Sequence, residues 1–198
     1  MQPLNEDEQR CLLNLARRAI RAGLRGERLD LSGVAAQLPS SRLREPGAAF
    51  VSLHLKGHLR GCVGYIVARK PLYETVVEAA CAAAFNDLRF PPLREDELDG
   101  LEIEISVLSP LFVVKPEEVH PGEHGLMVSL GPRRGLLLPQ VATEYGWTRE
   151  RFLEETCRKA GLEADAWKKG ARLEAFTAFV FSEATATAKA EAPGASTG

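Results

Sequence analysis

The chain has 198 residues, enough to bury a sizeable core, and its 45% hydrophobic and 26% charged content is ordinary for a soluble globular protein. A net charge of −2 gives no bulk attraction for nucleic acid, so a polyanion would need a local patch. Cys11, Cys62, Cys81 and Cys157 stand far apart with no C-x-x-C pair, which suggests neither a zinc ribbon nor a disulfide framework and fits a reducing cytoplasm.

The opening "MQPLNEDEQRCLLNLARRAI" lacks the basic start and unbroken apolar core of a signal peptide. No run approaches the roughly 18 apolar residues of a membrane span, so a soluble, unexported protein without membrane contact is expected. Asn5 followed by Glu8 reads as a capping arrangement, and Leu12, Leu13, Leu15, Ala16, Ala19 and Ile20 recur at helical spacing, predicting a helix over roughly 6 to 22. "AAFVSLHL" alternates Val51, Leu53 and Leu55 against Ser52 and His54, a half-buried strand, and Gly57 then allows a tight turn into "HLRGCVGYIV".

Pro71 suits the first turn of a helix that "LYETVVEAACAAAF" continues to about Phe85, with alanines that permit close packing on a sheet. In "NDLRFPPLREDELDG" Pro91 and Pro92 stop the helix while Phe90 offers an apolar anchor, so an ordered connection is expected. "LEIEISVLSP" alternates as a second clear strand, and "HGLMVSLGPRRGLLLP" reads as a hairpin turning at Gly131 to Gly135. A short helix in "PQVATEYGW", a longer one in "TRERFLEETCRKAGL" between Thr148 and Gly161, and a last strand in "RLEAFTAFVFSE" complete the order. Residues 1–183 then form a single domain of α+β class with a largely antiparallel sheet flanked by helices, and residues 184–198, all small or polar, form a disordered tail.

Cys62 sits between Gly61 and Gly64 behind Arg60, and the turn length decides what it meets. A two-residue turn at Lys56-Gly57 pairs Cys62 with Val51, and one at Gly57-His58 pairs it with Leu53; both put Cys62 on the apolar face and His54 on the other. Only a three-residue turn or a bulge, which the glycines permit, brings His54 to the cysteine's side. Arg60 on that face needs an acidic partner, or the face opens to water or an anionic ligand. An ordinary thiol of pKa ~8.5 is only about 3% thiolate at pH 7, whereas a fall to about 7 makes it half thiolate.

"LRGCVGY", "AAFNDLRFPPLREDEL", "LEIEISVL", "GEHGL", "GLLLPQVATEYGW" and "FLEETCRKAGL", in this order, resemble the AMMECR-one domain family, called AmmeMemoRadiSam system protein A in bacteria. The resemblance covers roughly residues 8 to 183 and implies an α+β fold with a larger and a smaller lobe, the R-G-C segment lining a cleft. It also implies a shared pathway with a Memo-type protein and a radical S-adenosylmethionine protein, and no settled reaction. The family's signature positions fall on Leu59, Arg60, Gly61, Cys62 and Gly64, on Asp87, Arg89, Phe90, Pro91 and Pro92, and on His124 and Gly125. Val63 stands where isoleucine is usual, Tyr65 where a small hydroxyl residue is frequent, and Leu88 where proline is frequent.

The face of Cys62 alone favours a small buried hydrophobe, whereas its Arg-Gly-Cys-x-Gly setting and the resemblance favour a working thiol. Cys11, Cys81 and Cys157 read as structural, and His54, His58 and His120 as surface residues. His124 is either a solvated turn residue or an acid/base group. Asp87 and Arg89 staple their loop, pair with Arg60 or contact a ligand, and Glu102 with Glu104 are most simply a solvated strand face. "GPRRG" is most simply a charged hairpin turn. The register argues against a metal site, and neither GxGxxG nor a P-loop points to a cofactor.

The expectation is therefore a cytosolic thiol-dependent enzyme acting on a small anionic molecule. Cys62 is its nucleophile or redox thiol, Arg60 its activating or charge-holding group, and His124 and Asp87 are candidate acid/base or orienting groups. Gly61, Gly64, Tyr65, Arg89 and Phe90 are the substrate-binding candidates. The alternative is a non-catalytic adaptor whose cleft docks a peptide or a pathway partner, with "RFPPL" supplying apolar anchors.

Overall fold

The first helix begins as its spacing predicts. In the computed structural model, which describes residues 3–185, Asn5 Oδ1 accepts from the Glu8 amide at 2.9 Å and Glu8 Oε2 accepts from the Asn5 amide at 2.7 Å. The helix α1 (Glu6–Leu24) runs two residues beyond expectation and buries Leu12, Leu13, Ala16, Ala19 and Ile20. Glu8 is itself buried, and its carboxylate also receives the Ser40 hydroxyl at 2.5 Å and Arg42 Nη1 at 3.5 Å, the partners a buried charge requires.

The described residues fall into two compact units, one comprising 3–108 and 179–185, the other Ser109–Ala178. The first holds α1, the single turn α2 (Val34–Gln37), the strands β1 (Ala48–Leu55) and β2 (His58–Tyr65), the helix α3 (Leu72–Phe85) and the strand β3 (Leu101–Leu108). Its strand order is β2-β1-β3, followed by the end of a last strand, β7 (Arg172–Ser182). β1 is antiparallel to both neighbours. Pro71 stands at the N-cap of α3 rather than inside it. Val51, Leu53, Ile103 and Ile105 form one face of the sheet and share a core with Val76, Ala79, Ala80 and Ala83 of α3 and with α1. The small α3 side chains let the helix come close, so close that a Cβ on Gly61 would run into the Ala83 carbonyl.

The turn at Lys56-Gly57 has two residues, both with positive φ, and pairs Leu55 with His58. One expectation fails just beyond it. His54 pairs with Leu59 but Leu53 pairs with Gly61, so Arg60 is a surplus residue in β2 and forms a bulge. Cys62 consequently pairs with Ser52, neither with Val51 nor with Leu53. The thiol lies on the face of Ser52 and His54, away from the helix-covered core.

The second unit contains β4 (Phe112–Val113), β5 (His124–Leu130), β6 (Arg133–Leu137), α4 (Pro139–Glu144), α5 (Arg149–Lys159) and the first part of β7. β7 pairs antiparallel with both β4 and β5, and β5 with β6. Phe152, Leu153 and Cys157 of α5 pack on Leu126, Val128, Leu173 and Ala175. The hairpin is tighter than "GPRRG" suggested. Leu130 pairs with Arg133, which leaves Gly131-Pro132 as the turn, and Gly135 is inside β6, where a Cβ would strike the backbone at Ala160.

The architecture is α+β with an antiparallel sheet, as expected. Among the described residues no helix is long and apolar enough to cross a membrane. Of the tail expected from residue 184, Ala184 and Thr185 lie in a helical turn in which the Thr185 hydroxyl donates to the Ser182 carbonyl at 3.0 Å; residues 186–198 lie outside the described residues. Because Gly61 has no room for a side chain, Gly61→Ala is expected to lower stability by about 1–3 kcal/mol in urea unfolding. An unchanged midpoint would show that β2 and α3 do not touch there.

Candidate functional site

β2 ends the strand order of the first unit, so alternate residues of it turn their backbone groups away from β1. At Cys62 those groups are met by one salt-bridged pair. Asp87 Oδ2 accepts from the Cys62 amide at 2.9 Å, and Arg89 Nη2 donates to the Cys62 carbonyl at 3.0 Å. Asp87 and Arg89 are joined to each other through Nε at 3.0 Å and Nη2 at 2.7 Å. The pair closes the strand edge as a neighbouring strand would. Since the Cys62 backbone points outward, Cys62 and Ser52 form a non-hydrogen-bonded pair, the kind that brings side chains closest. The Ser52 hydroxyl accordingly donates to Cys62 Sγ at 3.3 Å.

Ser52 is 6% exposed, whereas Cys62 is half-buried and reaches solvent. On the other side Ser52 pairs with Glu104, so Cys62, Ser52 and Glu104 make one row across three strands. The row on one side is Leu59, His54 and Glu102, and that on the other is Gly64, Phe50 and Ser106. Gly64 has to be glycine because a side chain there would collide with Phe50.

The charges in this region are ordered by the bulge. Arg60 is turned to Glu97, with Nε to Oε1 at 2.8 Å and Nη2 to Oε2 at 2.9 Å, and donates to the carbonyls of Pro91 and Pro92 at 2.9 and 3.3 Å. The acidic partner that Arg60 needs is thus Glu97, not Asp87, and the guanidinium ties "RFPPL" to β2. Arg60 hydrogen bonds hold the Glu97 carboxyl below its ordinary value against the opposing effect of burial. The Arg89 guanidinium does the same for Asp87 more strongly, aided by the Cys62 amide, and holds that carboxyl well below the usual range. Arg89 also lies over the Phe90 ring, 5.5 Å from its centroid.

Of the residues expected at the site, Cys62, Gly64, Asp87 and Arg89 come together, and Phe90 supports Arg89. Gly61 and Tyr65 do not join them. They belong to the opposite face of β2, Gly61 against α3 and Tyr65 paired with Ala49. His124 belongs to the second unit and is not a solvated turn residue: it starts β5, is buried, and meets the Phe112 ring edge-on at 5.7 Å. Its Nδ1 accepts from the His120 amide at 3.3 Å, which leaves Nε2 to carry the proton. Ser52, Glu97, Glu102 and Glu104 enter the picture only with the register, because a single surplus residue reverses which side chains share a face. His54 is half-buried rather than a surface residue, and Glu102 and Glu104 are half-buried rather than fully solvated.

Burial pushes the Cys11, Cys81 and Cys157 thiols up. Among the described residues no three His, Cys, Asp or Glu side chains converge to hold a metal ion.

A family model described as AMMECR1 matches residues 13–181. A protein of Methanothermobacter thermautotrophicus is 45% identical to this chain over 91% of it and 97% of its own length, and one of Saccharolobus solfataricus is 41% identical over 92% and 85%. The crystal structure of an uncharacterized protein from Pyrococcus horikoshii is similar with a TM-score of 0.80 and 38% identity, over 92% of this chain and 93% of that one.

The clamp has a pH signature. A carboxylate depressed in the folded state stabilises the fold above its unfolded value, near ~3.9, and that contribution is lost as pH falls through the lower folded value. Asp87→Asn is expected to lower stability at pH 7 by about 1–3 kcal/mol and to lose less on acidification than the parent. Urea unfolding at pH 7 and pH 3 measures both, and parallel curves would exclude Asp87 as the responsible group.

Proposed function

This chain belongs to the AMMECR1 family, and on that premise we propose that it is a cytoplasmic, thiol-dependent enzyme whose nucleophile is Cys62. The observation that carries the reading is the treatment of the half-buried Cys62 from both sides: its backbone is clamped by Asp87 and Arg89, and its sulfur accepts from a buried hydroxyl. A hydroxyl at hydrogen-bond distance fixes the direction in which the sulfur points, and a clamped backbone keeps it in one place for attack. Asp87 and Arg89 are then positioning residues that act through the backbone of Cys62. Arg60 joins them by fixing the Pro91-Pro92 connection, and since Glu97 occupies its guanidinium it does not supply the anion site that its place in the sequence suggested. Four free cysteines among the described residues support the reducing compartment.

A second reading is favoured by Leu88. It projects fully into solvent at the tip of the clamp, and Tyr65 and Val67 are also exposed. A non-catalytic adaptor docking a peptide, or a Memo-type or radical S-adenosylmethionine partner as the resemblance implies, would use such side chains.

Alkylation by iodoacetamide, followed peptide by peptide with mass spectrometry, tests the thiol. Cys62 is expected to label before Cys11, Cys81 and Cys157, whose thiols burial pushes up, and Ser52→Ala to slow it about tenfold through the loss of the one hydrogen bond that orients the sulfur. A Cys62 that labels last in the folded protein would overturn the enzyme reading. Leu88→Ser separates the adaptor: it should weaken co-purification of either partner while Cys62→Ser leaves it intact, and the converse result excludes docking at Leu88.

A further inference from the structure

A cavity of about 460 Å³ opens on α1, within the range of roughly 300–1,000 Å³ usual for small-molecule sites, and none of its lining residues belongs to the surroundings of Cys62. Its floor is apolar. Leu15 is buried in the core of the first unit, and half-buried Cys11, Val34 and Leu38 pack against that core. Residues 34–39 form the facing wall, which is pinned near its start and just beyond its end. Arg44 Nη1 donates to the Ala35 carbonyl at 3.3 Å, and the Ser40 hydroxyl donates to the buried Glu8 carboxylate at 2.5 Å. A wall tied down at two points keeps the cavity formed without an occupant, which lowers the ordering cost of binding.

The polar groups lie along the rim on successive turns of one helix face. Asp7, Arg10, Asn14 and Arg18 are three or four residues apart, so their side chains line up beside the cavity. Asp7 is taken by Arg10 at 3.2 Å, whereas Asn14 and Arg18 make no hydrogen bond or ion pair among the described residues. An independent observation places the Arg18 charge: it opposes the upward push of burial on the Cys11 thiol, so the guanidinium lies within electrostatic reach of the floor. The Glu8 carboxylate is turned away, to Ser40 and Arg42. Arg10 and Arg18 against Asp7 leave one net positive charge on the lining.

We infer that this cavity binds a small amphipathic carboxylate, with its apolar body on Leu15, Val34 and Leu38 and its charge on Arg18 and Asn14. A guanidinium presents a planar pair of donors that matches a carboxylate, and the Asn14 amide one turn back adds another. One net positive charge suits a monoanion better than a phosphate dianion. The apolar floor disfavours a sugar acid, whose hydroxyls would lose their water there without replacement.

The test uses the full chain with three probes: 1-naphthaleneacetate as the amphipathic carboxylate, acetate as the charge without the body, and 1-naphthylmethylamine as the body with the opposite charge. In amide NMR naphthaleneacetate is expected to shift Leu15, Arg18 and Leu38 saturably at concentrations at which acetate and the amine leave them unmoved. It is also expected to shield Cys11 from iodoacetamide while the rates at Cys81 and Cys157 stay the same. Arg18→Gln is expected to raise the dissociation constant about tenfold, the loss of one charge-assisted pair, and Arg28→Gln, which removes an exposed charge outside the cavity, to leave it unchanged. The amide spectrum of each variant reports that it is folded. Binding of the amine as tight as that of the carboxylate, no saturable shift at these three amides, or equal losses in the two variants overturns the proposal.

Discussion

The surplus residue at Arg60 stands opposite a strand that has none, and every side chain of β2 beyond it changes face as a result. Without it Cys62 would look into the core beneath α3. With it the thiol meets Ser52, Gly61 is left facing the helix, and Arg60 is swung aside to Glu97. Bulge, glycine and ion pair are thus one device. Gly61 has no side chain because α3 leaves no room, and the arginine displaced from the ladder finds its charge partner in the connection after the helix.

That connection returns the favour to β2. The edge groups of Cys62 would otherwise offer a free donor and acceptor to any passing strand, and Asp87 with Arg89 satisfies both. A salt-bridged pair does this with directional bonds at one residue, which a continuous strand could not do without covering Gly64 and Leu59 as well. The thiol is held on a closed stretch of edge while its side chain remains at the surface.

The match between local preference and fold is close wherever one element decides its own structure. The capping box at Asn5 and Glu8, the alternation in β1 and β3, the alanine-rich α3 and the Thr148 cap of α5 all lie where their spacing puts them. The partial misses share a cause. Gly135 was grouped with the hairpin turn on composition, but its lack of a side chain serves packing against α5. His124 sits between a charged residue and a glycine in sequence, yet it opens a buried strand.

By itself the sequence determined the element order, a tight turn at Gly57, the family and the importance of "LRGCVGY", because each rests on neighbours along the chain or on a long run of matching positions. Only the tertiary structure decided what Cys62 faces. Register depends on the pairing of two strands, and a bulge one residue long is invisible to hydrophobic alternation while reversing its outcome. The same holds for the charges. That Arg60 belongs to Glu97, 37 residues away, and that Glu102 and Glu104 are left without an ion pair among the described residues is set by tertiary contacts that no local pattern encodes, whereas the Asp87–Arg89 pair, two residues apart, is one the sequence already offers.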